Sequence, residues 1–252
     1  MSGLFLALNR PIHRRKAFMV IDLRVLQNPQ IHLVDSFEAL VGFRFEYGIN
    51  AVCWPRELQG DFAEVVHSLD VPQGITHLTP KRLHELDLTP AGQKAVKVMV
   101  DDLDRLHERH LLPTLDCVNG YTHETQSPLR TDVCSFHADS ATAEADTWLC
   151  TYHGSSSEGL RNEEVICRVD VPETRQELLH LYGDRDDEGF TEWLEDHFHT
   201  LHYSPLPAAM PFQFGTGNLW RIALRYPDSP VPPCIHRAPD PVPGEKRLVL
   251  IS

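Results

Sequence analysis

The second half of the chain alternates between short β-prone stretches and residues that interrupt strands. Proline, glycine, asparagine and aspartate divide these stretches from one another. Short strands at such close spacing are typical of a β-sandwich or barrel. One predicted helix, at 188–199, interrupts the series. We therefore predict a mainly β core over residues 113–252. The candidate strands are 114–118, 133–138, 146–152, 164–169, 211–214, 219–225, 234–237 and 247–251.

Residues 1–112 have a different pattern and are expected to support the β core with helices. Residues 57–110 are predicted to be helical, because apolar residues recur there at helical spacing. A second helix within them begins near Pro90, and Thr89 is placed to cap it. Residues 50–54 read as a buried strand. The expected fold is α+β, with the N-terminal helices packed against the core in one compact domain.

The charge of the chain bears on its partners. Its formal net charge is -13 over 252 residues, whereas binding to nucleic acid or to an anionic membrane surface needs concentrated lysine and arginine. No apolar run approaches the roughly 18–20 residues that span a bilayer. The apolar patch at 3–8 precedes its basic residues, the reverse of a signal peptide. We expect a cytoplasmic protein that acts on a small molecule, with neither nucleic acid nor membrane as a partner.

Three residues in the C-terminal half form the strongest candidate site. His137 and Asp139 are two residues apart, so on a strand both side chains leave the same face. His236, in a later β-prone segment, can add a third ligand. Two imidazoles and one carboxylate with vacant positions are the ligand set of non-haem Fe(II) oxygenases. Arg247, eleven residues after His236, adds a fixed positive charge.

The cysteines offer a competing metal site. The six cysteines are scattered and contain no C-x-x-C pair, which favours free thiols. However, Cys134 lies three residues before His137, and Cys234 lies two before His236. Two thiolates and two imidazoles suit a structural zinc ion, and a closed zinc site would have no oxygenase activity. By contrast, the histidines between 197 and 202 are expected at a solvated helix end.

The order of these residues resembles the Fe(II)/2-oxoglutarate-dependent dioxygenase superfamily. Its members carry H-x-D on an early strand of a double-stranded β-helix, a jelly-roll or cupin-like barrel, and a distal histidine followed by a basic residue. The resemblance implies that His137, Asp139 and His236 bind iron and that Arg247 pairs with the distal carboxylate of 2-oxoglutarate. It also implies that Tyr152 hydrogen-bonds this cosubstrate. Fe(II), 2-oxoglutarate and O2 are therefore the expected cofactors.

Four short motifs also resemble a bacterial domain family of unknown function, over roughly residues 30–252. They are Phe-His-x-Asp at 136–139, Leu-Cys-Thr-Tyr-x-Gly at 149–154, His-Arg-x-Pro at 236–239 and Arg-Leu-x-Leu at 247–250. That family has no established activity, so the likeness supports the fold more than the function.

The resemblance leads to an expected activity and to alternatives. We expect hydroxylation or desaturation of a small molecule, polar or amino-acid-like, since relatives that halogenate replace the carboxylate that Asp139 supplies here. The alternatives are a cupin-like protein or non-oxidative metalloenzyme that holds zinc or another divalent ion with the same ligands, and a non-catalytic interaction module. The polar residues expected to orient the substrate are Arg130, Asn162, Arg221 and Arg237.

Overall fold

The computed structural model describes residues 21–121 and 129–252. These residues form three sheets, which make up most of the core, and several helices. The helices are α1 (Leu23–Gln27), α2 (Phe37–Gly42), α3 (Phe62–Ser68), α4 (Pro80–His84), α5 (Pro90–His107), α6 (Pro172–Tyr182) and α7 (Glu188–Asp196). The strands are β1 (Ile31–Leu33), β2 (Ala51–Trp54), β3 (Gly74–His77), β4 (Thr114–Asn119), β5 (Asp146–His153), β6 (Glu158–Leu160), β7 (Val165–Cys167), β8 (Tyr203–Pro205), β9 (Phe212–Gln213), β10 (Leu219–Ala223), β11 (Ile235–Arg237) and β12 (Arg247–Ile251).

The large sheet has seven strands in the order β1-β2-β10-β5-β12-β4-β3. Its pairings are antiparallel except for β1 with β2. A second sheet has the order β11-β6-β9, and β7 pairs with β8 in a third. His137 forms isolated bridges with His236 of β11 and with His202 just before β8. The segment around His137 therefore joins the second sheet to the third.

One face of the large sheet packs against the helices. Side chains alternate between the two faces of a strand, and Cys150 and Tyr152 of β5 lie with Leu248 and Leu250 of β12 in the same core cluster as α3 and α5. Helix α5 begins where expected, because the Thr89 hydroxyl accepts a hydrogen bond from the Gly92 amide. Its buried residues are Gly92, Ala95, Val96, Met99, Asp102, Leu103 and Leu106.

The other face of the large sheet shares an apolar cluster with the second sheet. Leu149 of β5 and Trp220 of β10 pack there with Phe212 of β9 and with Cys234, which precedes β11. The Thr147 hydroxyl of β5 also donates to the Asp139 carboxylate at 2.5 Å. The second sheet therefore lies over the central strands of the large one, and the candidate site lies where the two meet.

The fold agrees with the sequence-based expectation at the level of class. A mixed α+β fold with a sheet-rich core is confirmed, but no closed barrel is found in the ranges described. The prediction that 57–110 is helical throughout is wrong at Gly74–His77, which forms edge strand β3 against β4. Strands β1, β2 and β3 complete the large sheet, so residues on both sides of position 112 share it. The apolar patch at 3–8 lies outside the described residues.

The length and hydropathy of the helices decide whether any of them could cross a bilayer. Within 21–121 and 129–252, none combines the length and the apolar character needed to cross one.

Candidate metal centre

The structure brings His137, Asp139 and His236 together. One ligand atom from each lies within 4.8 Å of the others. His137 Nε2 is 3.5 Å from Asp139 Oδ1, and His236 Nε2 is 3.7 Å from Asp139 Oδ2. In the described part of the chain, this is the only group of three or more histidine, cysteine or acidic residues with such spacing. The three ligands predicted from the sequence therefore form one cluster.

Strand pairing explains how residues almost a hundred positions apart meet. His137 and His236 exchange both backbone hydrogen bonds, each of 2.9 Å. Directly opposed residues in an antiparallel pair project from the same face. Asp139 follows two residues after His137 and returns to that face. The cluster is thus built on paired backbone, the rigid support that a metal site requires.

Hydrogen bonds fix the orientation of the three side chains. The Ser135 carbonyl accepts a 2.7 Å bond from His137 Nδ1–H, which leaves Nε2 free to face Asp139. His236 Nδ1 makes a longer contact of 3.4 Å with the Cys234 carbonyl. The Thr147 hydroxyl holds one oxygen of Asp139. Such outer contacts set the tautomer and direction of metal-binding histidines and carboxylates.

The electrostatics favour the protonation states that a metal needs at two of the three residues, Asp139 and His236. Burial opposes ionisation of Asp139, but His236 and His137 hold the pKa of its carboxyl well below its usual value. Burial lowers the pKa of the His236 imidazole to about 4, only partly opposed by Asp139. Burial also disfavours His137 protonation, but its contact with Asp139 raises the pKa overall. Asp139 has 31% of its side chain exposed, so the cluster opens to solvent on that side.

Arg247 supplies a buried positive charge that no carboxylate in the described part of the chain neutralises. It opens β12 and is only 6% exposed. Its Nε donates to the Ser155 carbonyl at 2.7 Å, and its two Nη groups donate to the hydroxyls of Tyr121 at 2.7 Å and Ser157 at 3.3 Å. These acceptors are neutral, and none of the described acidic residues forms an ion pair with it. An anion can therefore bind here without displacing a carboxylate.

The cysteines do not join the cluster. The Cys134 thiol donates to the Pro239 carbonyl at 3.6 Å, and burial raises the pKa of this thiol to about 11. Burial raises the pKa of the Cys234 thiol as well, and the charge of Asp139 adds to the effect. Thiolates, not thiols, bind zinc. The four-ligand set predicted from Cys134, His137, Cys234 and His236 is therefore not assembled.

Tyr152 lies away from the cluster, on the face of the large sheet that packs against the helices. It is buried in the helix–sheet core, and its hydroxyl donates to Asp102 Oδ2 of α5 at 2.8 Å. The other oxygen of Asp102 accepts a 2.7 Å bond from Arg56. The structure therefore does not support the predicted contact of Tyr152 with a cosubstrate, because its hydroxyl is already part of a buried network.

Replacing Tyr152 by phenylalanine tests this assignment. The change removes a buried hydrogen bond to a charged group, so we expect the free energy of unfolding to fall by about 1.5–2 kcal/mol. Urea unfolding measures that loss. The affinity for 2-oxoglutarate, measured by calorimetry, should equal that of the unmodified protein. A large loss of affinity at unchanged stability would contradict the structural role.

The four polar residues expected to orient a substrate lie in different places. Arg221 lies on the helix-packed face, where it pairs with Asp146 and donates to the carbonyls of Leu40, Val41 and Phe43 at the end of α2. Asn162 bonds to Gln30, Asn50 and the Pro233 carbonyl. Arg130 pairs with Asp132 and Asp240, and Arg237 with Glu158 and Asp240. Structural contacts account for all four, and none is brought into the cluster.

His202 is a neighbour of the cluster that the sequence pattern missed. The expectation of a solvated position is wrong, because the residue is buried at 5% exposure. Its ring centroid lies 5.8 Å from that of His137, and its Nδ1 lies 3.2 Å from the Ser135 hydroxyl. The nearby helix end gave no sign of this pairing in the sequence, although the residues that follow, Tyr203–Pro205, form strand β8.

The burial of His202 predicts a pH dependence of stability. Burial, helped by the charges of His137 and Arg168, lowers its pKa to about 4 from 6.5. Between these values the unfolded chain binds a proton that the folded chain excludes, so stability rises with pH. We expect the metal-free protein to gain up to about 3 kcal/mol from this residue between pH 4 and 6.5. Urea unfolding across that range should show a smaller gain for His202→Asn; an unchanged slope would contradict the assignment.

Comparison with known proteins adds no relative. No family model matches the chain, and neither curated proteins nor solved structures gave a match.

Proposed function

We propose that this protein is an Fe(II)- and 2-oxoglutarate-dependent oxygenase that hydroxylates or desaturates a small molecule. The observation that carries the proposal is the convergence of His137, Asp139 and His236 on one face of paired backbone. Two imidazoles and one carboxylate match the ligand set of non-haem Fe(II) oxygenases.

The donor set fits a divalent iron ion. The His137 Nε2 atom faces Asp139 at 3.5 Å, and Asp139 is ionised at neutral pH because its pKa is held low. Three protein ligands on one side leave positions for a cosubstrate and for O2. When bound there, Fe(II) would supply O2 activation coupled to the oxidative decarboxylation of 2-oxoglutarate. Thr147 and Ser135 would keep two of the three ligands in their orientations.

Arg247 supports the choice of 2-oxoglutarate as cosubstrate. A guanidinium suits a carboxylate because it can donate two parallel hydrogen bonds. Its contacts with Tyr121 and Ser157 hold the side chain in place, and both hydroxyls can donate to the same anion. Burial makes the interaction stronger than it would be in water. Arg247 would then bind the distal carboxylate and orient the keto acid toward the metal ligands.

The order of strands supports a double-stranded β-helix as the scaffold. From β4 to β12, apart from β7 and β8 of the third sheet, the segments fall in the large, second, large, second, second, large, second and large sheets, if the His137 segment is counted with the second. The central large-sheet strands are β10-β5-β12-β4, and the facing order is the His137 segment, β11, β6 and β9. In such a scaffold the ligands occupy an early strand and a late one that pair, as His137 and His236 do here.

The proposal is tested by adding Fe(II) and 2-oxoglutarate to the protein without oxygen. A weak visible charge-transfer band should appear, and admission of O2 should convert 2-oxoglutarate to succinate. Stoichiometric zinc in the purified protein, with no band after exchange for iron, would favour the alternative of a non-oxidative metalloenzyme. Two imidazoles and a carboxylate also form the catalytic zinc site of some hydrolases.

A further inference from the structure

The metal ligands belong to a longer row of side chains across the second and third sheets. Arg168 follows the pairing of Cys167 with Tyr203 and begins a short 3-10 helix, and its amide donates to the His202 carbonyl at 2.9 Å. His202 is bridged in turn to His137. Opposed residues on neighbouring strands project from the same face. His202 and His137 therefore share the face on which the metal ligands converge, and the Arg168 charge lies close enough to His202 to lower the pKa of its imidazole.

Arg168 is a second arginine that has no acidic partner among residues 21–121 and 129–252. Its Nε is buried and makes no hydrogen bond, and one Nη donates only to the Arg130 carbonyl at 3.3 Å. None of the acidic residues in the described ranges pairs with it. Burial, together with the charge of Arg130, lowers the pKa of its guanidinium. Arg161, by comparison, is paired with both Glu163 and Glu164.

This arrangement opposes the stability of the unbound protein. A partly buried cation without a counter-ion loses hydration and gains no ion pair in return. His202 cannot compensate, because its imidazole carries no negative charge, and the Arg168 charge disfavours its protonated form. Local arrangements that lower stability with no structural gain are found mainly at functional sites. An anionic ligand would relieve the unfavourable charge.

Arg168 and Arg247 flank the metal ligands from opposite sides. Strands lie about 4.8 Å apart, so the Cα of Arg168, two strands from His137, is roughly 10 Å from the Cα of that ligand. On the other side, Arg247 contacts Ser157, which immediately precedes β6, the strand paired with β11. A cosubstrate held by Arg247 would therefore leave the Arg168 side free for a different molecule.

We propose that Arg168 binds an anionic group, a carboxylate or a phosphate, on the primary substrate. That the bound molecule is a substrate rests on the proposed function, but the anion site itself does not. A small acidic molecule anchored there would extend over His202 toward the metal ligands. Its reacting carbon would lie several ångströms from its charged end, since the anchor and the ligands are two strands apart.

The test uses full-length, metal-free Arg247→Gln protein, so that the other anion site is absent and no turnover is needed. Its arginine Nε–H signals are followed by 15N NMR while inorganic phosphate, and separately succinate, are added. The Arg168 signal is assigned by its loss in Arg168→Gln. We expect that signal to move in a saturable way with at least one probe. A stronger response to phosphate would indicate a phosphorylated substrate, and a stronger response to succinate a carboxylic acid.

Variants of the same protein give the second readout. Adding Arg168→Gln should weaken anion binding, measured by calorimetry, at least about tenfold, because hydrogen bonds between ions are strong. Arg168→Lys keeps the charge but cannot donate two parallel hydrogen bonds, so it should retain part of the affinity. Arg161→Gln, the matched control, should change nothing. An Arg168 signal that does not respond to either anion, in the folded Arg247→Gln protein, overturns the proposal.

The two proposals fail in distinguishable ways. A band with Fe(II) and 2-oxoglutarate in the unmodified protein, but no anion response at Arg168, would refute only the substrate anchor. An anion response without the band would refute the oxygenase and leave the anion site standing.

Discussion

Replacing His137, Asp139 or His236 by alanine is expected to abolish the visible band that Fe(II) and 2-oxoglutarate form without oxygen. Each change removes one of the three proposed ligands, and Asp139 lies within 3.7 Å of both histidines. Removal of outer-shell partners already lowers metal affinity 10–100-fold in known sites. We therefore expect Fe(II) affinity to fall by more than about 100-fold, measured by anaerobic titration.

Thr147→Val and His197→Gln are the controls for this experiment. Thr147 bonds to Asp139 without reaching the metal position, so its loss should weaken iron binding about 10-fold and leave the band in place. His197 is exposed and stacks near His199 and Trp193, so its loss should have no effect. If alanine at any of the three ligand positions left both the band and the affinity intact, that residue would not be a ligand.

The sequence predicted the site best where the spacing of metal-binding residue types matches the two-residue repeat of a β-strand. The spacing of His137 and Asp139 predicts a shared face whatever the rest of the fold, because side chains alternate along every strand. The place of His236 opposite His137 depends on a pairing between segments almost a hundred residues apart. Local pattern does not encode that register. For this site, the expectation that His236 joins His137 came from the order of the motifs along the chain and its resemblance to a known superfamily.

Prediction failed where tertiary packing overrode local pattern. His202 follows a helix and a short 3-10 turn, so its sequence neighbours suggest solvent, yet it pairs with His137 in a sheet. Gly74–His77 lies between helices and forms a strand only because the edge of β4 is available. Arg168 looks like any surface arginine in the sequence. Its buried Nε without a hydrogen bond, and its place next to His202, become visible only in the folded chain.

Arg247→Ala is expected to weaken 2-oxoglutarate binding roughly 100- to 1,000-fold, or about 3–4 kcal/mol, with metal affinity unchanged. Truncating one partner of a buried, hydrogen-bonded charge pair has effects of this size. Calorimetry with zinc in place of iron measures the affinity for 2-oxoglutarate without turnover. Arg247→Lys should lose less, because a lysine keeps the charge but cannot donate two parallel bonds.

Lys246 provides the matched control from the neighbouring position. Its Nζ donates to the Leu69 carbonyl on the helix side, so Lys246→Met should leave cosubstrate affinity unchanged. Loss of Arg247 should also leave the protein stably folded, because it removes a buried charge that has only neutral partners. That expectation separates a binding residue from a structural one: a structural arginine would lower the melting temperature when replaced. Unchanged 2-oxoglutarate affinity in Arg247→Ala would instead leave this buried charge without its proposed ligand and favour a metal site that works without the keto acid.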